Sequence, residues 1–210
     1  MNKSDLKIQR RCTDLYGMMV LYQSLKNPSY NTIINVGSFT GRYSSVYSKL
    51  FKNIISFDPS THADINKHKS LNETFYNKAL YSKKTKLEFY QFPTPGYDST
   101  SKDFLQYNAD VLGKYQPSIT EIETYTLDEF NFDDIDYIKI DAEGVDGHII
   151  LGAEKTIKKC RPVIQVEDIK NHHEAVLFLL ENNYTKFKDD IFLNCGKYTD
   201  DMWIPNEKLQ

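Results

Sequence analysis

Thr32-Ile33-Ile34-Asn35-Val36-Gly37-Ser38-Phe39-Thr40-Gly41 is the stretch on which the fold turns. Its first five residues are mostly apolar and β-branched, the pattern of a short strand buried within a parallel sheet. The strand runs into a glycine loop and then into Tyr43–Phe51, where the spacing of apolar residues predicts a helix. Strand, glycine turn and helix form the opening unit of an α/β sheet. Such sheets bind ligands outside the carboxyl ends of the strands, where the strand order reverses. Gly37 has no Cβ, so a ligand can approach the backbone, and Gly41 permits a tight entry into the helix. The helix N-terminus then offers unpaired N–H groups to an anion or carboxylate.

Outward from this unit, strand and helix alternate. Residues 6–26 read as a helix that ends at Asn27-Pro28. Strands are predicted at Ile54–Phe57, Phe75–Leu80, Lys86–Phe92, Ile119–Tyr125, Asp136–Ile140 and Pro162–Val166. Helices are predicted at 61–72, Gly147–Lys159 and Ala175–Glu181, with a short helix starting at Thr126–Phe130. Two last strands, Tyr184–Phe187 and Ile191–Asn194, have too short a connection for a crossover and should pair antiparallel. The alternation predicts an α/β fold, a single Rossmann-like domain with a mostly parallel sheet and helices on both faces. Residues 1–30 read as an N-terminal helical extension and 31–210 as the domain.

Composition narrows the function classes. The chain has 210 residues, 40% hydrophobic and 26% charged, so it can bury a core. Its net charge of −3 does not supply the basic field of nucleic-acid binding; the run at Lys83, Lys84 and Lys86 reads as a solvated turn. Cys12, Cys160 and Cys195 are odd in number and lack CxxC spacing, which argues against disulfides and structural zinc. No apolar run approaches the ~20 residues of a membrane span, and the first residues lack a signal-type apolar segment. A cytoplasmic location is expected.

The glycine spacing selects the ligand. Gly37 and Gly41 are four apart with no Gly-x-Gly before them, which disfavours a dinucleotide fingerprint and an NAD-dependent oxidoreductase. Gly41-Arg42-Tyr43 also lacks the Lys-Ser/Thr of a phosphate loop. Asp58 ends the second predicted strand, 21 residues after Gly37, where a carboxylate can accept from both hydroxyls of a ribose. A nucleoside site follows. A second constellation, Tyr137-Ile138-Lys139-Ile140-Asp141-Ala142-Glu143-Gly144, delivers two carboxylates at a strand tip. They could orient or deprotonate a substrate hydroxyl. They could equally cap the following helix. His148, His172 and His173 lack a ligand spacing, and no metal site is expected.

The ordered series Ile138-Lys139-Ile140-Asp141-Ala142-Glu143-Gly144, Leu151-Gly152-Ala153, Arg161-Pro162 and Glu167 resembles the FkbM family of methyltransferases. Thr126-Leu127-Asp128, Asn77-Lys78-Ala79-Leu80 and Asp98-Ser99-Thr100-Ser101 extend the likeness over about residues 31–195. The Gly37–Gly41 loop is similar to the first motif of class I methyltransferases, which holds the methionine part of the cofactor. Asn35 stands where the family usually has an acid, Asp58 where many members have Glu, and Ser38-Phe39 where Ala-Asn is usual. The resemblance implies a seven-stranded-type sheet with an antiparallel C-terminal strand and S-adenosylmethionine as cofactor. Cofactor contacts are then expected from Asn35, Val36, Gly37, Ser38, Thr40, Gly41, Tyr43, Asp58, Pro59, Asn77, Ala79 and Asp141. The catalytic candidates are Asp141, Glu143 and Glu167. The implied partner is a small molecule or glycan with a free hydroxyl, the acceptor of O-methylation. The alternative is a non-catalytic binder that keeps the nucleoside pocket without turnover.

Overall fold

The computed structural model describes residues 22–23, 25–41, 43–61, 70–93, 97–108, 110, 113–167, 169, 171–187 and 200–209. Seven strands form the main sheet: β1 (Thr32–Val36), β2 (Asn53–Phe57), β3 (Glu73–Tyr76), β7 (Ile135–Ile140), β8 (Val163–Val166), β9 (Tyr184–Phe187) and β10 (Asp201–Pro205). Their order is β3-β2-β1-β7-β8-β10-β9. All pairings are parallel except those of β10, which runs antiparallel to both β8 and β9. The chain therefore moves outward from β1 to β3, then returns to β7 on the other side. The order reverses between β1 and β7, and their carboxyl ends frame the cleft such a reversal creates.

The sheet is covered on both faces, which explains why β1 and β7 are buried throughout. On one face Ile34, Val36, Phe57, Ile138, Ile140 and Ile164 pack with α3 (Asp146–Leu151), α4 (Glu154–Cys160) and α5 (His173–Glu181). On the other, Ile33, Ile54, Tyr137 and Val163 pack with Tyr22, Phe51 and the Tyr47 of α1 (Ser44–Tyr47). Toward the carboxyl ends this second face turns polar. Ser56, Asn35, Lys139 and Gln165 lie side by side across the sheet, all buried.

Several local expectations change. The helix expected over Tyr43–Phe51 is a single turn, α1, followed by tight turns that mix three- and four-residue backbone bonds. Serines crowd the segment, and the Ser48 hydroxyl bonds the Ser45 carbonyl, a competitor of regular helix. The expected strand Phe75–Leu80 divides at Asn77-Lys78 into β3 and β4 (Ala79–Leu80). β4 joins a second sheet of order β4-β6-β5, with β5 (Thr85–Gln91) and β6 (Ser118–Tyr125) antiparallel. After β5 the chain forms α2 (Lys102–Tyr107) before β6. The antiparallel partner of β9 is β10; the expected strand Ile191–Asn194 lies outside the described residues, as do most of the helices expected at 6–26 and 61–72. No helix among the described residues is long and apolar enough to cross a membrane.

The helix expected over Gly147–Lys159 breaks into α3 and α4 at Gly152. Asp128 takes over the free N–H groups of the new start, accepting from Lys155 N at 2.9 Å and Thr156 N at 2.8 Å. The break brings the backbone against Tyr81: a Cβ on Gly152 would lie 2.0 Å from its carbonyl oxygen. Gly152→Ala is expected to force the α3–α4 corner away from β4 and destabilise the protein by about 1–3 kcal/mol. Chemical unfolding of the two proteins side by side measures this; equal midpoints would contradict the close approach.

Candidate functional site

A cavity of about 330 Å³ opens at the carboxyl ends of β1, β2 and β7, within the range of small-ligand sites. Its floor is a seam between two loops. Gly37 adopts φ +74°, and a Cβ there would lie 1.6 Å from the Asp141 carbonyl oxygen. The Asp141 N–H in turn donates to the Val36 carbonyl at 3.2 Å. The glycine loop and the tip of β7 are thus in main-chain contact, and only glycine fits between them.

Asp58 organises the loop. Its two carboxylate oxygens accept from Phe39 N at 2.6 Å and from Ser60 N at 2.8 Å. Burial pushes its carboxyl up to about 6, and the two N–H donors hold it back from rising further. Each oxygen keeps a lone pair for a ligand hydroxyl. Asn77 donates to the Asp58 carbonyl at 2.9 Å and so steadies the same turn from β3. Ser38 lines the cavity with a buried hydroxyl that has no partner among the described residues. The space that the missing Cβ of Gly37 leaves, expected from sequence to admit a ligand, is instead filled by the Asp141 carbonyl; the orphan hydroxyl of Ser38 and the strand-end carboxylate of Asp58 are the polar groups left for a ligand.

Of the cofactor residues expected from sequence, Val36, Gly37, Ser38, Thr40, Tyr43, Asp58, Pro59, Ala79 and Asp141 line this cavity. Gly41 lies behind it, its N–H closing a turn onto the Ser38 carbonyl at 2.8 Å. Asn77 acts on the Asp58 turn as above. Asn35 is 1% exposed, off the lining, and its amide has no partner among the described residues.

The second half of the cavity is acidic. Asp141 and Glu143 line it, and one carboxylate oxygen each of Asp141, Glu143 and Glu167 lie within 4.8 Å of one another. The capping alternative does not hold: Val145 precedes α3 with no side-chain hydrogen bond capping the helix, and the Asp146 carboxylate takes the Ala142 N–H at 2.9 Å. Glu143 has φ +50°, rare outside glycine, and Ser99 donates to its carbonyl at 2.6 Å. The turn is thus held in a strained form that aims the side chain, as functional turns often are. Burial pushes the Glu143 carboxyl up to about 8, helped by the negative charges of Asp141 and Asp146. Partial burial, then Asp141 and Glu143, also raise Glu167. Asp141 moves the other way. Burial opposes its ionisation, but the Lys139 ammonium 2.7 Å away holds it below the usual carboxylate range.

The remaining wall comes from elsewhere. Phe89 of β5 and Thr124 of β6 project from the second sheet, with Leu80 of β4 and Lys78 beside them. Lys78 lies over the Tyr125 ring at 3.6 Å. Asp98 accepts from Ser60 Oγ at 2.8 Å and Phe92 N at 2.9 Å, tying the Asp58 loop to the loop after β5. Sequence reading passed over Phe39, Phe57, Lys78, Leu80, Phe89 and Thr124. Burial at the end of β5 was the one available signal, and it does not say which cavity is being lined. His148 and His172 lie elsewhere, ring to edge at 5.1 Å.

No curated protein sequence matches the chain. The methyltransferase FkbM from Methylobacillus flagellatus KT is similar in structure, at 13% identity and a TM-score of 0.50 over 87% of this chain. This chain spans about half of that one, 47% of its length. The precorrin-6y C5,15-methyltransferase from Geobacter metallireducens GS-15 is 13% identical, with a TM-score of 0.44 over 88% of this chain and 83% of that one. At this identity the first likeness shows the fold alone. The family model of the methyltransferase FkbM domain matches residues 35–196, which carry the glycine loop, Asp58 and the acid cluster, and the chain belongs to that family.

Proposed function

We propose that this chain transfers a methyl group from S-adenosylmethionine to a hydroxyl oxygen of a sugar or other small molecule. The observation that carries this reading is the seam of Gly37 against Asp141. It joins the nucleoside end of the cavity to the acid cluster at contact distance, so a donor and an acceptor can be held in line. S-adenosylmethionine supplies, when bound, a methyl on a positively charged sulfur, which asks for alignment more than further activation.

The chain's own groups then divide the work. Asp58 accepts from the ribose hydroxyls, and Ser38 and the loop N–H groups meet the polar tail. Asp141 orients the acceptor hydroxyl. Glu143 would take the proton of that hydroxyl, which leaves its oxygen free to accept the methyl group the cofactor would supply. Glu167 brings a third carboxyl within 4.8 Å of Asp141 and Glu143 and completes the cluster. The non-catalytic alternative draws on the neutral amide of Asn35. The strained, acid-bearing turn at Glu143 argues against it, since a binder has no use for a base there.

Calorimetric titration with S-adenosylhomocysteine tests the reading, with NAD as the control. Binding of the first and not the second is expected. Asp58→Asn should weaken it by about 10–100-fold, the worth of hydrogen bonds to a charged acceptor. Preference for NAD, or no binding by the unaltered protein, would overturn the proposal.

A further inference from the structure

Lys139 is a buried cation to which this division of labour gives no task. It lies within β7, 4% exposed, in a strand buried along its whole length whose other charged residue, Asp136, stands near the opposite end. Burying an ammonium is costly unless an anion meets it. Its neighbours across the sheet are Asn35 on β1 and Gln165 on β8, both neutral amides. Gln165 is itself engaged by the Tyr137 hydroxyl at 2.9 Å and by Asp200. Tyr47 faces it from α1, and the Tyr43 ring centre lies 5.9 Å from the ammonium. The anions acting on it are Asp141, at 2.7 Å, and Asp200. Burial works to discharge Lys139, yet these partners, Asp141 foremost, raise it above the ordinary lysine range.

Asp141 is consequently fixed twice. Its main chain is held by Val36 and Gly37, and its side chain by Lys139 through Oδ2. The other charges around it are the carboxyls of Glu143 on the following turn, Glu167 at the end of β8 and Asp200 before β10, with Asp58 across the cavity. Three acids this close would compete for the ionised state, and the lysine decides which one keeps it.

We propose that Lys139 is a positioning residue for the methyl acceptor: its ammonium locks the Asp141 carboxylate, ionised and in one orientation, at the junction of the cofactor loop and the acid cluster. This rests on the methyl-transfer reading above. The lock gives Asp141 the role of orienting the acceptor and leaves proton removal to Glu143. A base should be free to gain a proton, and a carboxylate tied to a buried ammonium is not.

Carbon-13 NMR of the 210-residue chain with labelled Asp and Glu carboxyls tests this directly. In the unaltered protein Asp141 should titrate below the ordinary aspartate value of about 3.9. In Lys139→Met it should rise by about one unit or more, and Lys139→Arg should restore it. With tritiated methyl donor and a panel of neutral sugars, Lys139→Met should lower kcat about tenfold or more without changing the donor's KM, and Lys139→Arg should recover part of it. S-adenosylhomocysteine affinity should stay within about threefold in both variants. Should Lys139→Met fail to fold, the unaltered protein still decides, because an Asp141 that titrates above 3.9 overturns the lock. An unmoved Asp141 in folded Lys139→Met, or equal kcat, overturns it too. Failure of the unaltered protein to bind S-adenosylhomocysteine defeats the methyl-transfer reading and the acceptor role with it, while the NMR titration still reports whether the pair is coupled.

Discussion

Glu143→Gln is expected to lower methyl transfer by about 10²–10⁴-fold, the usual contribution of a positioned general base. The amide keeps the shape of the side chain and its place on the strained turn but cannot take a proton. S-adenosylhomocysteine binding should change little, because Glu143 sits at the acceptor half of the cavity. In the unaltered protein kcat/KM should rise with pH and level off above about 8, following ionisation of Glu143. The sloping limb should vanish in the variant. The same carboxyl makes a separate prediction for stability. Its folded value lies above its unfolded one, so the folded state holds the proton more tightly. Its contribution to stability is therefore present below the ordinary glutamate range and is lost as pH rises to about 8. Glu143→Gln removes that loss, so at pH 9 the variant should melt no lower than the parent. Lower melting together with intact turnover would make Glu143 a structural residue.

Gly37→Ala is expected to damage both the fold and the site. The new Cβ would fall 1.6 Å from the Asp141 carbonyl oxygen and 2.7 Å from its carbon. Both are main-chain atoms of a central strand's tip, so no side-chain rotation relieves the clash. The positive φ adds a second cost, about 1–2 kcal/mol for a residue with a Cβ. With overpacking of about 1–3 kcal/mol, the loss should reach roughly 2–5 kcal/mol. That is a large part of the stability of an ordinary domain, about 5–15 kcal/mol. Because the loop must leave Asp141, binding of S-adenosylhomocysteine should also disappear in whatever fraction stays folded. Thermal unfolding and calorimetry report the two losses separately. A variant with parental melting and affinity would show that the seam is not closed as described.

Most of the main sheet was legible because its signals are local. The buried strands β1, β7 and β8 each read as short apolar runs, and β1 and β7 are buried along their whole length. The glycine loop and the strand-end Asp58 stood out in the sequence, since a main chain that must pack closely and a strand that ends at a cleft demand particular residues at particular places. Helix ends were less legible. The break at Gly152 depends on Asp128 and Tyr81, both more than twenty residues away. The strand that divides at Asn77-Lys78 serves two sheets, and period alone does not show a change of sheet.

By itself the sequence determined that this is an α/β chain with a glycine loop after β1 and an acid pair at the tip of β7. Those features follow from glycine, strand period and the position of carboxylates along a strand, all properties of neighbouring residues. Tertiary structure decided the rest. It brought the carboxylates of Asp141, Glu143 and Glu167 within 4.8 Å of one another, sealed Gly37 against Asp141, and brought the wall of the cavity from a second sheet. It also removed the helix-capping reading of Asp141 and Glu143 and gave Lys139 its partner. Strand alternation tells which face Lys139 takes. Only the packing of β1, β8 and α1 around it shows that this face is closed to water, so that its charge must be met by Asp141.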